Sequence, residues 1–190
     1  MSRPKISVIG AGNVGKEIMF RCALKELGNI SLWNRTPEAA KGNALDVSEA
    51  GPIANFDVSI TGSGDLNDTK KSDVIVFTAG SPRKPGQTRE ELVQINAKVV
   101  YDLVRKLSKL SKDAVIIMIT NPLDAMAYLA YKSSNFSSNK VIGLAGVLDS
   151  SRFSTFVSKE LNVSVKEIES ITLGSHGEEM VPLSRFSTVN

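Results

Sequence analysis

His176 is the single histidine of the chain and lies in Gly174-Ser175-His176-Gly177. Imidazole titrates near neutrality and can exchange a proton with a substrate hydroxyl, although a lone histidine in a loop is by default a solvated one. A carboxylate elsewhere changes that balance. Asp149, in Gly146-Val147-Leu148-Asp149-Ser150-Ser151-Arg152, could orient the imidazole and stabilise its charged form. Asp149 and Arg152 stand three residues apart, so on a helix they share one face. The spacing leaves two assignments open: Asp149 serves the histidine, or it caps the helix with Arg152 as a surface ion partner.

Other residues suit anionic ligands. Gly10-Ala11-Gly12-Asn13-Val14-Gly15 follows an apolar run and opens a helical one. In that setting Gly10 allows a tight turn, Gly12 lets backbone approach a pyrophosphate and Gly15 lets helix pack on strand. The helix N–H groups then face the phosphates; a purely structural glycine turn is the alternative. About twenty residues on, where such folds place an acid for the ribose 2′-hydroxyl, the chain reads Trp33-Asn34-Arg35-Thr36. Asn34 is uncharged and Arg35 could pair with a 2′-phosphate, which favours NADP over NAD. The other reading is a solvated Arg35 beside an Asn34 that still bonds the hydroxyls. Arg83 and Arg89 flank Gly86 in a loop after an apolar run, which suggests a hinged lid. Guanidinium groups can grip carboxylates with paired hydrogen bonds, but composition alone makes this a solvated basic loop. Asn121-Pro122 is first of all a turn; its alternative puts the Asn121 amide near cofactor and substrate.

The elements that must position these groups alternate. Apolar runs predict strands at Ile6–Ile9, Ile30–Trp33, Val58–Ile60, Val74–Phe77, Val115–Ile119 and Val141–Ile142. The fourth and fifth are apolar without alternation, the pattern of strands buried on both faces of a parallel sheet. Between them, Val14, Ile18 and Cys22 mark one buried helix face, and Leu92, Ile95, Val99, Leu103, Leu107 and Leu110 mark another. Strand–helix alternation predicts a doubly wound α/β sheet with right-handed crossovers. Near residue 145 serines cluster at Ser150, Ser151, Ser154 and Ser158, and a helix is expected over about 150–161. The organisation expected is a dinucleotide-binding domain over 1–145 and the incomplete beginning of a second domain over 146–190, in a chain that looks cut after Asn190.

Composition narrows the partners. Hydrophobic residues at 42% and charged residues at 23% are ordinary for a globular domain. The net charge of +3 is not concentrated in a basic run, so nucleic acid is not favoured. No membrane-spanning run, signal peptide or metal site is read, and one cysteine allows no internal disulfide. A cytoplasmic location is expected.

Taken in order, the glycine loop, Ala79-Gly80 with Arg83-Lys84-Pro85-Gly86 and Arg89, Asn121-Pro122, Leu148-Asp149-Ser150 with Arg152, and Gly174–Gly177 resemble the malate/lactate dehydrogenase family across essentially the whole chain. The resemblance implies a Rossmann sheet followed by the start of an α+β substrate domain. It also implies reversible hydride transfer between NAD or NADP and malate or oxaloacetate, a place in the tricarboxylic acid cycle and a homodimer or homotetramer. A lactate or other 2-hydroxy-acid dehydrogenase, or a catalytically silent dinucleotide-binding fragment, are the alternatives. By the same resemblance His176 is the proton acceptor, Asp149 its partner and Arg152 the ligand of a substrate carboxylate. Arg89 would polarise the reacting carbonyl. Asn121 would meet substrate and nicotinamide, and Asn96 would contact cofactor. Arg83 sits where malate-type members carry arginine and lactate-type members glutamine. Asn34 departs from the family's acidic residue.

Overall fold

The computed structural model describes residues 3–83 and 85–190, with the backbone alone at Arg89. Six strands form one sheet: β1 (Lys5–Ile9), β2 (Asn29–Trp33), β3 (Ile60–Ser63), β4 (Val74–Phe77), β5 (Val115–Met118) and β6 (Val141–Gly143). Their order is β3-β2-β1-β4-β5-β6. The pairs β1–β2, β1–β4, β2–β3 and β4–β5 are parallel, with Ile6 opposite both Ile30 and Val74. The order reverses between β1 and β4, and the loops leaving their carboxyl ends diverge there. A crevice at such a switch point is where open α/β sheets take their ligands.

Side chains alternate across the strands, so each face has its own core. Ile6, Val8, Ile30, Leu32 and Val76 pack with Met19, Ala23, Ala40 and Val47. These last come from α1 (Asn13–Leu24) and α2 (Pro37–Ala54). Ile9, Ile75 and Phe77 are fully buried on the other side. There α3 (Arg89–Leu110) packs on α4 (Leu123–Ser134) through buried Val100, Val104, Leu107, Met126 and Ala130. The start of α3 is fixed by a capping box, in which Thr88 accepts from the Glu91 N–H and Glu91 accepts from the Thr88 N–H. Among the described residues no helix is long and apolar enough to cross a membrane.

The chain divides into two compact units, one ending at Ile142 and one running from Gly143 to Asn190. The division falls three residues before the boundary expected from composition, because β6 closes the sheet there. The second unit contains α5 (Gly146–Leu161) and two short antiparallel pairs. These pair β7 (Ile168–Glu169) with β10 (Thr188–Val189), and β8 (Thr172–Leu173) with β9 (Val181–Pro182).

Several elements differ from the sequence expectation. The third strand occupies Ile60–Ser63, because pairing runs from Ile30↔Ile60 to Trp33↔Ser63 on a sheet edge where hydrophobicity is a poor guide. Its Gly62 leaves no room for a Cβ beneath the Ala40 carbonyl of α2. The helix stripe is rotated by one residue along α1 and in the middle of α3, whose Leu92 and Leu107 are buried as expected. On α1 the buried positions are Gly15, Met19 and Ala23, and Val14 is 52% exposed. On α3 they include Leu92, Asn96, Val100, Val104 and Leu107, and Ile95 is 45% exposed. The closest approaches use small or polar residues, which an apolar pattern passes over. Finally, α5 starts at Gly146, a turn before the serines suggest.

Candidate active site

The glycine loop is built where β1 ends at the switch point. Gly10 takes φ +113, and its N–H donates to Trp33 O at 2.8 Å. A Cβ on Gly15 would overlap the Gly10 carbonyl oxygen, so only glycine lets the helix sit this close to the turn. Gly12 has the opposite surroundings: a Cβ there would meet nothing within 4 Å. Gly12 is also the N-cap of α1, and no side chain caps that helix. The first-turn N–H groups, which have no intrahelical acceptor, are therefore left for an external anion. This open, donor-lined turn fits the pyrophosphate of a dinucleotide.

Asn34 and Arg35 follow β2 on the same side. The Asn34 Oδ1 accepts from the Ala11 N–H at 3.3 Å and its Nδ2 donates to Thr36 O at 3.2 Å. From α2, Asn43 Nδ2 donates to Ala11 O at 3.2 Å. Arg35 is exposed and has no hydrogen bond or ion pair among the described residues. The indole of Trp33 donates to Gly64 O at 2.9 Å.

A groove of about 390 Å3 runs beside the loop; Val14, Thr78, Pro82, Asn96 and Asn121 are among the residues that line it. Val14, exposed on α1, is thus part of the wall of this groove. Asn121 follows β5, is exposed, and joins Pro122 by a cis peptide; its carboxamide has no partner among the described residues. Asn96 is placed differently from an exposed cofactor ligand. It is 1% exposed and ties the loops after β4 and β5 together. Its Nδ2 donates to Ser81 O at 3.2 Å and to Asn121 O at 2.7 Å, and its Oδ1 accepts from Ser81 N at 2.8 Å. Thr120 adds a bond to Ala79 O at 2.9 Å, and Gly80 is packed so tightly against Thr120 and Asn96 that a Cβ would collide.

Arg83 lies in the segment leading to α3, exposed, with Nε donating to Gln87 O at 2.9 Å. Gly86 in the same segment has φ +82. Arg89 is the first residue of α3, and its side chain lies outside the described residues, as does Lys84.

In the second unit the chain brings Asp149 and His176 together. Asp149 Oδ2 is 2.8 Å from His176 Nδ1. The carboxylate is buried, 6% exposed, in the first turn of α5, and its Oδ1 is 3.4 Å from Nη1 of the more exposed Arg152. Asp149 is not a helix cap: the N-cap is Ala145. A carboxylate on Nδ1 fixes the ring's orientation and tautomer, so Nε2 is the nitrogen that exchanges a proton. Sequence reasoning registered the serines of α5 only as a change of composition, but two of them set this geometry. Ser150 Oγ accepts from Thr172 N at 2.9 Å, Ser154 Oγ meets Ser170 Oγ at 2.8 Å, and Ser170 Oγ donates to Ser150 O at 3.0 Å. Their fourfold spacing, which places Ser150, Ser154 and Ser158 on one helix face, was the available signal. Gly174, at φ +98, then turns the chain into the His176 loop. Cys22 is half-buried in the packing around α1, and burial pushes its thiol up, away from thiolate chemistry.

Sheet order, glycine loop and uncapped helix together define a dinucleotide-binding α/β protein, here followed by a carboxylate-oriented histidine. Residues 4–143 match the family model described as lactate/malate dehydrogenase, NAD binding domain, and the chain belongs to that family. It is 50% identical over 188 residues to the malate dehydrogenase of Roseiflexus castenholzii, covering 99% of this chain and 61% of that relative. Among solved structures it resembles the malate dehydrogenase of Cryptosporidium parvum, at 38% identity and TM-score 0.95 over 98% of this chain and 60% of that one. It also resembles the lactate dehydrogenase of Cryptosporidium parvum, solved with lactic acid and nicotinamide adenine dinucleotide. That match has 34% identity and TM-score 0.94, over 100% of this chain and 60% of that one. The chain thus spans about three fifths of the length of the relatives it matches.

Proposed function

We propose that this chain supplies the cofactor-binding unit and the proton-transfer pair of a malate dehydrogenase. The observation that carries the reading is the 2.8 Å contact between buried Asp149 and His176 Nδ1, in a chain whose other unit presents an open phosphate cradle. When a nicotinamide dinucleotide is bound, its ring accepts or supplies the hydride at C2 of the hydroxy acid. In malate oxidation His176 Nε2 takes the hydroxyl proton; in oxaloacetate reduction it returns a proton to the carbonyl oxygen. Asp149 holds the ring in place and offsets the imidazolium charge in both directions. Arg152 binds the carboxylate next to C2, Arg83 the second carboxylate, and Arg89 polarises the carbonyl. Asn121, with its carboxamide unpartnered at the groove, bonds substrate and nicotinamide.

Malate is favoured over lactate by Arg83, because the dicarboxylate needs a second cation, and by the 50% identity to a malate dehydrogenase. The likeness to a lactate dehydrogenase at TM-score 0.94 keeps the monocarboxylate as the second reading. For the cofactor, the absence of a carboxylate at Asn34 and the unpaired Arg35 support use of NADP(H) at least as good as that of NAD(H).

One experiment tests both choices: kcat/KM for oxaloacetate and pyruvate, with NADH and with NADPH, for the wild type and Arg83→Gln in a protein of the relatives' full length. The wild type should prefer oxaloacetate by about a hundredfold, and Arg83→Gln should erase most of that preference. A ratio that barely moves removes Arg83 from the substrate site; a strong preference for NADH removes the 2′-phosphate reading.

A further inference from the structure

Each peptide group of the glycine loop can be followed to its partner. The Gly10 N–H is bonded to Trp33 O at 2.8 Å. In the next peptide, the Gly10 carbonyl lies 3.2 Å from Thr78 Oγ1, whose hydrogen it shares with the Ile9 carbonyl at 3.0 Å, and the Ala11 N–H is held by Asn34 Oδ1 at 3.3 Å. That unit is pinned at both ends. The peptide from Ala11 to Gly12 is pinned at one end only, where Asn43 Nδ2 donates to the Ala11 carbonyl at 3.2 Å. Its other end, the Gly12 N–H, has no acceptor among the described residues.

The Ala11–Gly12 peptide is trans, because the only cis bond among the described residues joins Asn121 and Pro122. A trans peptide is planar, and its C=O and N–H point in opposite directions. A side chain on α2 that draws the carbonyl toward itself therefore turns the N–H away from α2. The surroundings of Gly12 are open, since a Cβ there would meet nothing within 4 Å. Gly12 has no Cβ to resist rotation of this peptide, so the side-chain bond is what selects the orientation.

We propose that Asn43 is a positioning residue of the phosphate cradle: by holding the Ala11 carbonyl it aims the Gly12 N–H at a bound diphosphate. Asn43 lies on the half-buried flank of α2, outside the turn and the groove residues, and would act on the ligand through this peptide. The proposal rests on reading the turn as a dinucleotide site.

The test is calorimetric binding of ADP and of adenosine to the full-length wild type, Asn43→Ala and Asn43→Leu, with thermal melts alongside. The leucine variant keeps side-chain bulk on α2 while removing the donor. Both variants should bind ADP about tenfold more weakly, the loss of one aligned bond to a charged group, with adenosine affinity unchanged within about twofold. Equal weakening of both ligands would mean a general distortion and would overturn the proposal, as would unchanged ADP binding. A wild type that binds adenosine but gains nothing from the diphosphate would overturn the cradle reading itself.

Discussion

At the scale of single residues the clearest chemistry is the division of labour on His176. One ring nitrogen is committed to Asp149, whose carboxylate is buried while Arg152 beside it stays largely exposed. An Asp149→Asn substitution keeps the shape but offers an amide that can donate to Nδ1, favouring the wrong tautomer. If the proposed function holds, turnover of oxaloacetate by a protein of the relatives' length should fall by roughly a hundredfold or more, with the dissociation constant for the dinucleotide nearly unchanged, as steady-state kinetics and direct titration would measure. Near-normal turnover would sink the assignment. Asn34 illustrates a different lesson. Its amide is engaged twice within the protein, so an uncharged residue at this place is explained by the loop it braces.

At the scale of elements, the parts set by covalent necessity were legible and the parts set by close contact were not. Glycines at 10, 12 and 15 announce a turn and an approach, and β4 and β5 announce themselves as buried parallel strands. The face of α1 and the middle of that of α3 were displaced by one residue because Val14 and Ile95 are large and apolar, while the buried positions include Gly15, Ala23 and Asn96. The Asp149–His176 pairing was legible only through motif order; the antiparallel pairs and serine bonds that bring the two residues together are long-range and leave no periodic trace. One of those bonds gives a prediction. Ser150→Ala leaves the Thr172 N–H without its acceptor against a residue only 3% exposed, and should lower unfolding stability by about 1–2 kcal/mol. Ser151→Ala, at an exposed neighbour, should change it by less than about 0.5 kcal/mol. Urea unfolding of both variants distinguishes a stitch from a generic helix effect.

At the scale of the whole molecule, the two units hold different chemistry. Every bond that shapes the phosphate cradle, from Trp33, Asn34, Asn43 and Thr78, is made within the unit ending at Ile142. Residues 1–142 produced alone should therefore bind ADP within about threefold of the full-length protein, since every one of those bonds is retained. Binding weaker than that by orders of magnitude would assign part of the cradle's order to the remaining chain. The sheet order has a consequence of its own for the protein during synthesis. β1 leaves the ribosome first yet occupies an interior place, and its two edges are filled at different times: one by β2, the other only by β4, ending at Phe77. A ribosome paused before Val74 has not yet supplied β4, so the edge of β1 beside Val8 and Ile9, both fully buried in the finished protein, has no partner. That edge is open to a strand from a neighbouring nascent chain until translation resumes.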